Sequence, residues 1–293
     1  MRTQEKLIYT NERGESIEFS PASSYHVNFK DVTGLSDVRN AIYSTNSMGQ
    51  DGDTYLGYRI ESRDIDIVGY IKERDKQAAQ NLRRKLNRIL NPQYEATLTY
   101  VFGDFRRVIG CKIDDAPIFK RKPIFEQFTV SLSCLNPFWR EETETREDIA
   151  TWIGGFEFPA PDERDDGGEI GYRQPSLIVN VYNSGDVKSG IRIEFRAIGA
   201  VTNPVLLNVD TREFIKLNIS LVAGDVLTVS TGYGEKAVKL NRGGTITDAF
   251  RYLDVDSSYL QIAVGDNLFR YSADANAENL EVSIYHNNLY LGV

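Results

Sequence analysis

Apolar and polar residues alternate along most of this chain. Tyr25, Val27 and Phe29 fall on one side of an extended segment and His26, Asn28 and Lys30 on the other, and residues 7–9 and 17–19 are shorter pieces of the same kind. Alternation with period two predicts half-buried strands. Ile65 and Ile67 alternate with Asp64, Asp66 and Val68, with Gly69 continuing the apolar side. Between these strands the stretch STNSMGQDGDTYLGY is polar and without period, so residues 43–58 are expected to be a long loop of the kind that binds something or moves. A helical period occurs where Ala78, Leu82, Leu86 and Ile89 line one stripe, with Asp75 as N-cap and Pro92 as the stop, predicting a helix over residues 75–91. Behind it, ATLTYVF and FRRVIGCKI flank Gly103-Asp104 as a tight hairpin, and FTVSLSCLNPFW adds a strand ending at Pro137. Residues 1–140 thus read as an α+β domain in which one helix covers a sheet.

From residue 141 the pattern changes. EETETREDIATWIGGFEFPAPDERDDGGEIGYRQ is acidic and rich in Gly and Pro, which predicts a linker over residues 141–174 carrying an apolar island at Trp152, Ile153, Phe156 and Phe158. Residues 175–293 then run strand after strand, with Ile191, Ile193, Phe195 and Ala197 alternating against Arg192, Glu194 and Arg196, and a final YLGV. Roughly nine short strands separated by Gly and Asn turns imply a β-sandwich or jelly roll. The fold class is mainly β, with one α+β domain.

Length supports two cores, since 293 residues exceed what one usually fills. Sixteen Tyr and 14 Phe against two Met lean the same way, towards strands. Residues 1–140 hold 21 Lys and Arg against 18 Asp and Glu, a net +3, while the remainder holds 13 against 24, a net −11. The two parts therefore face different surroundings, and neither balance predicts attraction to nucleic-acid phosphates. The first residues show no signal peptide and nowhere do about 18 apolar residues run together, so no membrane insertion is expected and the chain is expected to be made in a cytoplasm. Cys111 and Cys134 each sit on the apolar side of a strand and read as core residues rather than a disulfide framework.

The chemistry-bearing residues form no convincing catalytic set, so no enzyme activity, cofactor or metal is expected. His26 and His286 are isolated from each other in sequence. Gly49 to Asp53 lacks the remaining ligands of an EF-hand, and Gly232-Tyr233-Gly234 joins two strands rather than a strand and a helix. Asp254 and Asp256 would share one side of an extended segment. Arg83, Arg84, Lys85 and Arg88 make a basic helix face that reads as solvated surface. Trp152, Tyr172, Tyr233 and Tyr259 could stack on sugars, which keeps open an alternative: a carbohydrate-binding module attaching to host cell-wall glycans.

Taken in order, the Gly-containing loop before DIDIVGYI, the helix RDKQAAQNLRRKLNRILNP, the strand FTVSLSCLNPFW, and LVAGDVLTVST, AVGDNLFRYSA and YLGV resemble the distal tail protein family of long-tailed bacteriophages over nearly the whole chain. The acidic stretch 141–174 is the least typical part. The resemblance implies a structural hub of a phage tail tip: N-terminal domains closing a hexameric ring, and galectin-like β-sandwich domains projecting outward. Such a ring stacks below the major tail protein and meets the tape-measure protein. It seats the tail-associated tip protein, in some phages carries receptor-binding proteins, and passes DNA through its lumen without specific binding. The implied location is the virion tail tip, after assembly in the host bacterial cytoplasm. Candidate oligomer and partner contacts are Met48, Gln50, Asp51, Tyr55 and Tyr58 in the long loop, Asp104 at the hairpin turn, and Trp152 and Phe156 in the acidic stretch.

Overall fold

A computed structural model describes residues 5–121, 125–149, 151–154, 171–174 and 178–293. It divides the chain into two compact units, Met1–Glu142 with Leu289–Val293, and Thr143–Asn288. The chain therefore passes between units twice, and the second unit is an insertion in the first.

The first unit contains β1 (Glu5–Asn11), β2 (Ser16–Ser20), β3 (Tyr25–Thr33), β4 (Asn40–Thr45), β5 (Thr54–Ile60), β6 (Arg63–Ile71), α1 (Lys76–Ile89), β7 (Ala96–Phe102), β8 (Phe105–Arg121), β9 (Glu126–Cys134) and β10 (Trp139–Arg140). The expected sheet does not stay open. Strands run in the order β8-β7-β1-β2-β3-β6-β9, and β9 returns to pair with β8, closing a barrel. Closure depends on the length of β8. Its first part pairs with β7 and its second with β9, and register shifts between Ile113 and Ile118 bend it from one partner to the other. Leu7, Tyr9, Phe19, Ile67, Leu98 and Phe128 fill the interior, each fully buried. Gly69 lies opposite Phe128 in register, and the Phe128 ring occupies the space its side chain lacks.

The helix begins where the sequence predicts. Asp75 caps it by accepting from the Ala78 amide at 2.8 Å, and Leu86 and Ile89 join the barrel core, with Leu82 packed against it. Its basic face is partly tied down: Arg83 pairs with Glu126 at 3.0 Å and lies over the Phe119 ring, and Arg88 pairs with Glu15 at 3.0 Å.

The long loop expected over residues 43–58 is instead mostly a β-hairpin, β4 with β5. Its alternation is broken by a register shift between Tyr43 and Ser44, which leaves Leu56 without a cross-strand partner, and by Gly57; this concealed the strands in the sequence.

The second unit holds β11 (Thr145–Asp148), β12 (Thr151–Gly154), β13 (Gly171–Gln174), β14 (Ile178–Asn183), β15 (Ser189–Ala197), β16 (Val201–Asn208), β17 (Phe214–Lys216) and β18 (Ser220–Leu221). It continues with β19 (Val226–Ser230), β20 (Ala237–Arg242), β21 (Thr245–Asp248), β22 (Gln261–Ile262), β23 (Gly265–Ala275) and β24 (Leu280–His286). One sheet runs β11-β24-β15-β19-β20-β21 and the other β14-β23-β16-β17, with β22 and β18 at their margins. Ile193, Phe195, Leu227 and Ile284 of the first and Val181, Leu206, Phe269 and Tyr271 of the second share one core, which makes the pair a sandwich.

Two further expectations change. The acidic stretch 141–174 is not simply a linker: Thr145–Asp148 is an edge strand paired with β24, and Ile149 is buried in the sandwich core. Charged residues suit an edge strand, which is held by backbone bonds and faces water. The final YLGV leaves the sandwich as well. Its strand β25 (Leu289–Tyr290) pairs with β10 in the first unit, opposite Trp139 and Arg140.

Candidate functional site

The β4–β5 hairpin contributes no residue to either core. Its strands pair with each other and with no other described strand. At the root, Gly34 turns the chain with φ of 83°, and a Cβ there would lie 2.0 Å from the Asp64 carbonyl oxygen, so only glycine fits. The Glu61 amide donates to the Arg39 carbonyl at 2.9 Å, and Arg39 pairs with Asp64 at 3.6 Å. At the tip, Gly49 and Gly52 both have positive φ, Gln50 Nε2 donates to Thr54 Oγ1 at 3.0 Å, and Asp53 accepts from Ser44 Oγ and Asn46 Nδ2.

What the hairpin displays is apolar. Cross-strand partners share a face, so Ile42 with Tyr58, and Tyr55 opposite Ser44 two residues further along, form one stripe. Ile42, Tyr55, Leu56 and Tyr58 are each at least 60% exposed, and Met48 at the tip is wholly so. A two-stranded ribbon is marginal alone in water, and a contiguous exposed apolar patch marks an interaction surface.

The structure thus brings Met48, Gln50, Asp51, Tyr55 and Tyr58 together on one hairpin. Asp104 lies elsewhere, exposed at the β7–β8 turn between Phe102 and Phe105, both of them partly exposed. Phe156 and the side chain of Trp152 lie outside the described residues. Sequence reasoning missed Ile42 and Leu56. Their signal was the apolar pairs Ile42-Tyr43 and Tyr55-Leu56 bracketing a Gly- and Asp-rich turn, which is a hairpin pattern.

His26 Nδ1 lies 2.8 Å from the Pro21 carbonyl oxygen at the surface, while His286 is buried in the other unit. Asp254 accepts from Asn218 Nδ2 at 2.8 Å and from the Asp256 amide at 3.0 Å, and these bonds, Asn218's first, hold its carboxyl below the usual range. Lys236 places its ammonium 4.2 Å from the Tyr259 ring centroid, a cation–π contact. Cys111 and Cys134 are buried and free, and burial pushes both thiols up, Cys134 to about 12. Among the described residues no cluster of three or more His, Cys, Asp or Glu could hold a metal ion, and no helix is long and apolar enough to cross a membrane.

The fold is thus a barrel carrying an exposed apolar hairpin, with a sandwich inserted near its end, and comparison with known proteins places it in a family. Residues 4–134 match the phage tail protein RIFT-related domain, and residues 184–290 match the C-terminal domain of siphovirus-type tail components. The crystal structure of SPP1 Dit, described as a paradigm of the hub adsorption apparatus in phages infecting Gram-positive hosts, is similar with a TM-score of 0.69 at 13% identity, covering 97% of this chain and 98% of that one. A chain of the phage P2 baseplate in its activated conformation with Ca is similar at TM-score 0.52 and 12% identity, covering 98% of each chain, and the form with Sr at 0.50 and 12%, covering 97% of each. No curated protein matches the sequence. This chain belongs to the distal tail protein family of siphophages.

Proposed function

We propose that this protein is the hub of a siphophage tail tip, built as a hexameric ring. The first units close the ring, each β4–β5 hairpin laying its apolar stripe on a neighbouring copy. The ring joins the tail tube, at the major tail protein and tape-measure protein, to the tail-associated tip protein, and DNA passes through the lumen without specific binding. The sandwich units present surfaces for receptor-binding proteins. Assembly takes place in the host bacterial cytoplasm and the ring ends at the virion tail tip. The mechanism is adaptor contact, with no bond made or broken.

The exposed hairpin is the observation that carries this reading. Ordering a projecting ribbon costs conformational entropy that its own backbone bonds barely offset, and burying the stripe on another copy offsets it. The test is light scattering after size exclusion, with negative-stain imaging, on the wild type and on Ile42→Ser, Tyr55→Ser and Tyr58→Ser. The wild type, alone or with its tip partner, is expected to give six-fold rings. Each substitution lies at an exposed position and should change fold stability by no more than about 0.5 kcal/mol. Truncating an anchor buried at an interface costs roughly 2 kcal/mol or more, about 30-fold in affinity per contact. A wild type that stays monomeric even with its partner, or variants that ring as well as it does, would refute the proposal.

A further inference from the structure

Arg63 opens β6 at the root of the hairpin and is 3% exposed. A buried guanidinium is usually matched by a carboxylate, but among the described residues Arg63 forms no ion pair within 4 Å. Its donors go to main chain instead. Nε donates to the Pro137 carbonyl at 2.8 Å, Nη1 to those of Gly34 at 2.8 Å and Leu35 at 2.9 Å, and Nη2 to that of Leu291. These acceptors belong to three separate segments: the turn leading into β4, the link between β9 and β10, and the residues after β25. The rigid fork of a guanidinium can serve several acceptors at fixed angles, which a lysine ammonium cannot.

Other bonds close the same junction. Trp139 Nε1 donates to the Leu35 carbonyl at 3.0 Å, and Ser36 Oγ to that of Val293 at 2.8 Å. Tyr290 on β25 donates its hydroxyl to Glu141 at 2.8 Å. Gly292 lies so close to the turn that an added Cβ would be 3.0 Å from the Ser36 Cα. The residues entering the hairpin are thus held at the Gly34 and Leu35 carbonyls by Arg63 and Trp139 and at Ser36 by Gly292 and Val293.

We infer that Arg63 and Leu289–Val293 form a clasp that fixes the root of the β4–β5 hairpin, so that the hairpin is presented for association between copies only when the clasp is closed. The clasp partner follows the whole second unit in the chain. A nascent chain that has not yet supplied those residues holds a barrel sequence and a hairpin but an open root, so association through the hairpin waits for the second unit to be made. Arg63 is a positioning residue for the interface, acting through the hairpin rather than touching a partner. The inference rests on the assembly role proposed above for the hairpin.

The test compares full-length wild type with Arg63→Met, Arg63→Lys and Gly292→Val, by hydrogen exchange at the Glu61 amide, whose bond to the Arg39 carbonyl closes the hairpin root, and by light scattering. Gly292→Val opens the clasp at Ser36 and leaves Arg63 intact, so it decides the matter should Arg63→Met fail to fold. Arg63→Met and Gly292→Val are expected to raise exchange at the root by roughly tenfold or more while β1 and β7 amides stay protected. Both should weaken association by a similar factor, and Arg63→Lys should fall between them and the wild type. Unchanged root exchange in both strong variants overturns the inference. So does a loosened root with undiminished association. If the wild type itself never associates while the variants still loosen the root, the hub reading fails and the clasp stands.

Discussion

Gly69 gives the sharpest test of how the barrel is packed. It lies in β6 between Val27 on β3 and Phe128 on β9. A Cβ added there would stand 2.4 Å from Phe128 Cζ, 2.7 Å from Val27 Cγ2 and 2.8 Å from the His26 carbonyl oxygen. Phe128 has little room to yield, since its ring centroid is 5.8 Å from that of Phe19 and 6.2 Å from that of Tyr25. Overpacking of this kind costs about 1–3 kcal/mol, and the upper half applies because a backbone oxygen is among the obstacles. Replacing Gly by Ala returns about 0.4–1 kcal/mol through the unfolded chain, so the net loss for Gly69→Ala is about 2 kcal/mol, or roughly 4–8 °C in Tm. Urea unfolding followed by the fluorescence of Trp139, buried in the first unit, measures it in a Trp152→Phe background that silences the other tryptophan. Phe128→Leu removes the atom at 2.4 Å, so in the double variant it should recover about 1 kcal/mol relative to additivity. A Gly69→Ala protein within 0.5 kcal/mol of wild type, or strict additivity of the pair, would show that the ring does not fill the glycine's space.

Two titrating groups give further predictions. Asp225, 1% exposed, accepts from the Val222 amide and from Arg242 Nε and Nη2, and the Arg242 bonds are the main reason its carboxyl sits below the usual range. A lowered folded value contributes stability above the unfolded pKa of about 3.9 that is lost as pH falls through the folded one. Asp225→Asn should therefore cost about 1.5–3 kcal/mol in urea unfolding at pH 7, and progressively less as pH falls below about 3.9. Tyr25 donates its hydroxyl to the Leu82 carbonyl at 3.0 Å, and burial pushes its pKa up to about 12. A raised folded value means full stability below the unfolded pKa of about 10 and a decline as pH rises from there through the folded one. Tyr25→Phe should flatten that share of the Tm decline between pH 10 and pH 12, and an unchanged slope would count against it.

The elements that could be read from sequence are those whose signal is local. The stripe Ala78, Leu82, Leu86 and Ile89 with Asp75 ahead and Pro92 behind specifies α1, because capping and amphipathic burial act within a few turns. Phe102-Gly103-Asp104-Phe105 specifies a two-residue turn, since Gly103 can take the positive φ it needs. The alternation of Ile191, Ile193, Phe195 and Ala197 places one side of β15 in a core for the same reason. Barrel closure has no such signature. It depends on β8 exchanging β7 for β9 partway along, a matter of register between segments whose side chains alternate equally well either way. The hairpin β4–β5 was hidden by a bulge and a glycine, and its exposure is a property of what fails to cover it.

The residues that organise the candidate interface were the least visible. Arg63 in the sequence is one more charge ahead of an alternating strand, and YLGV is one more apolar strand at the end of a sandwich pattern. Only in three dimensions do they meet at the carbonyl of Leu291, 228 positions away from Arg63 in the chain. Period, caps and turns are encoded in short windows because they arise from backbone geometry and the burial of one face. A guanidinium chooses carbonyls by where the whole fold delivers them, and backbone carbonyls look alike in every sequence. The chain thus declared a β-rich, two-core protein with one helix, and the tertiary structure alone decided that the first core is a closed barrel, that its last strand returns from beyond the second unit in sequence, and that the residues after this strand meet Arg63 at the root of an exposed arm.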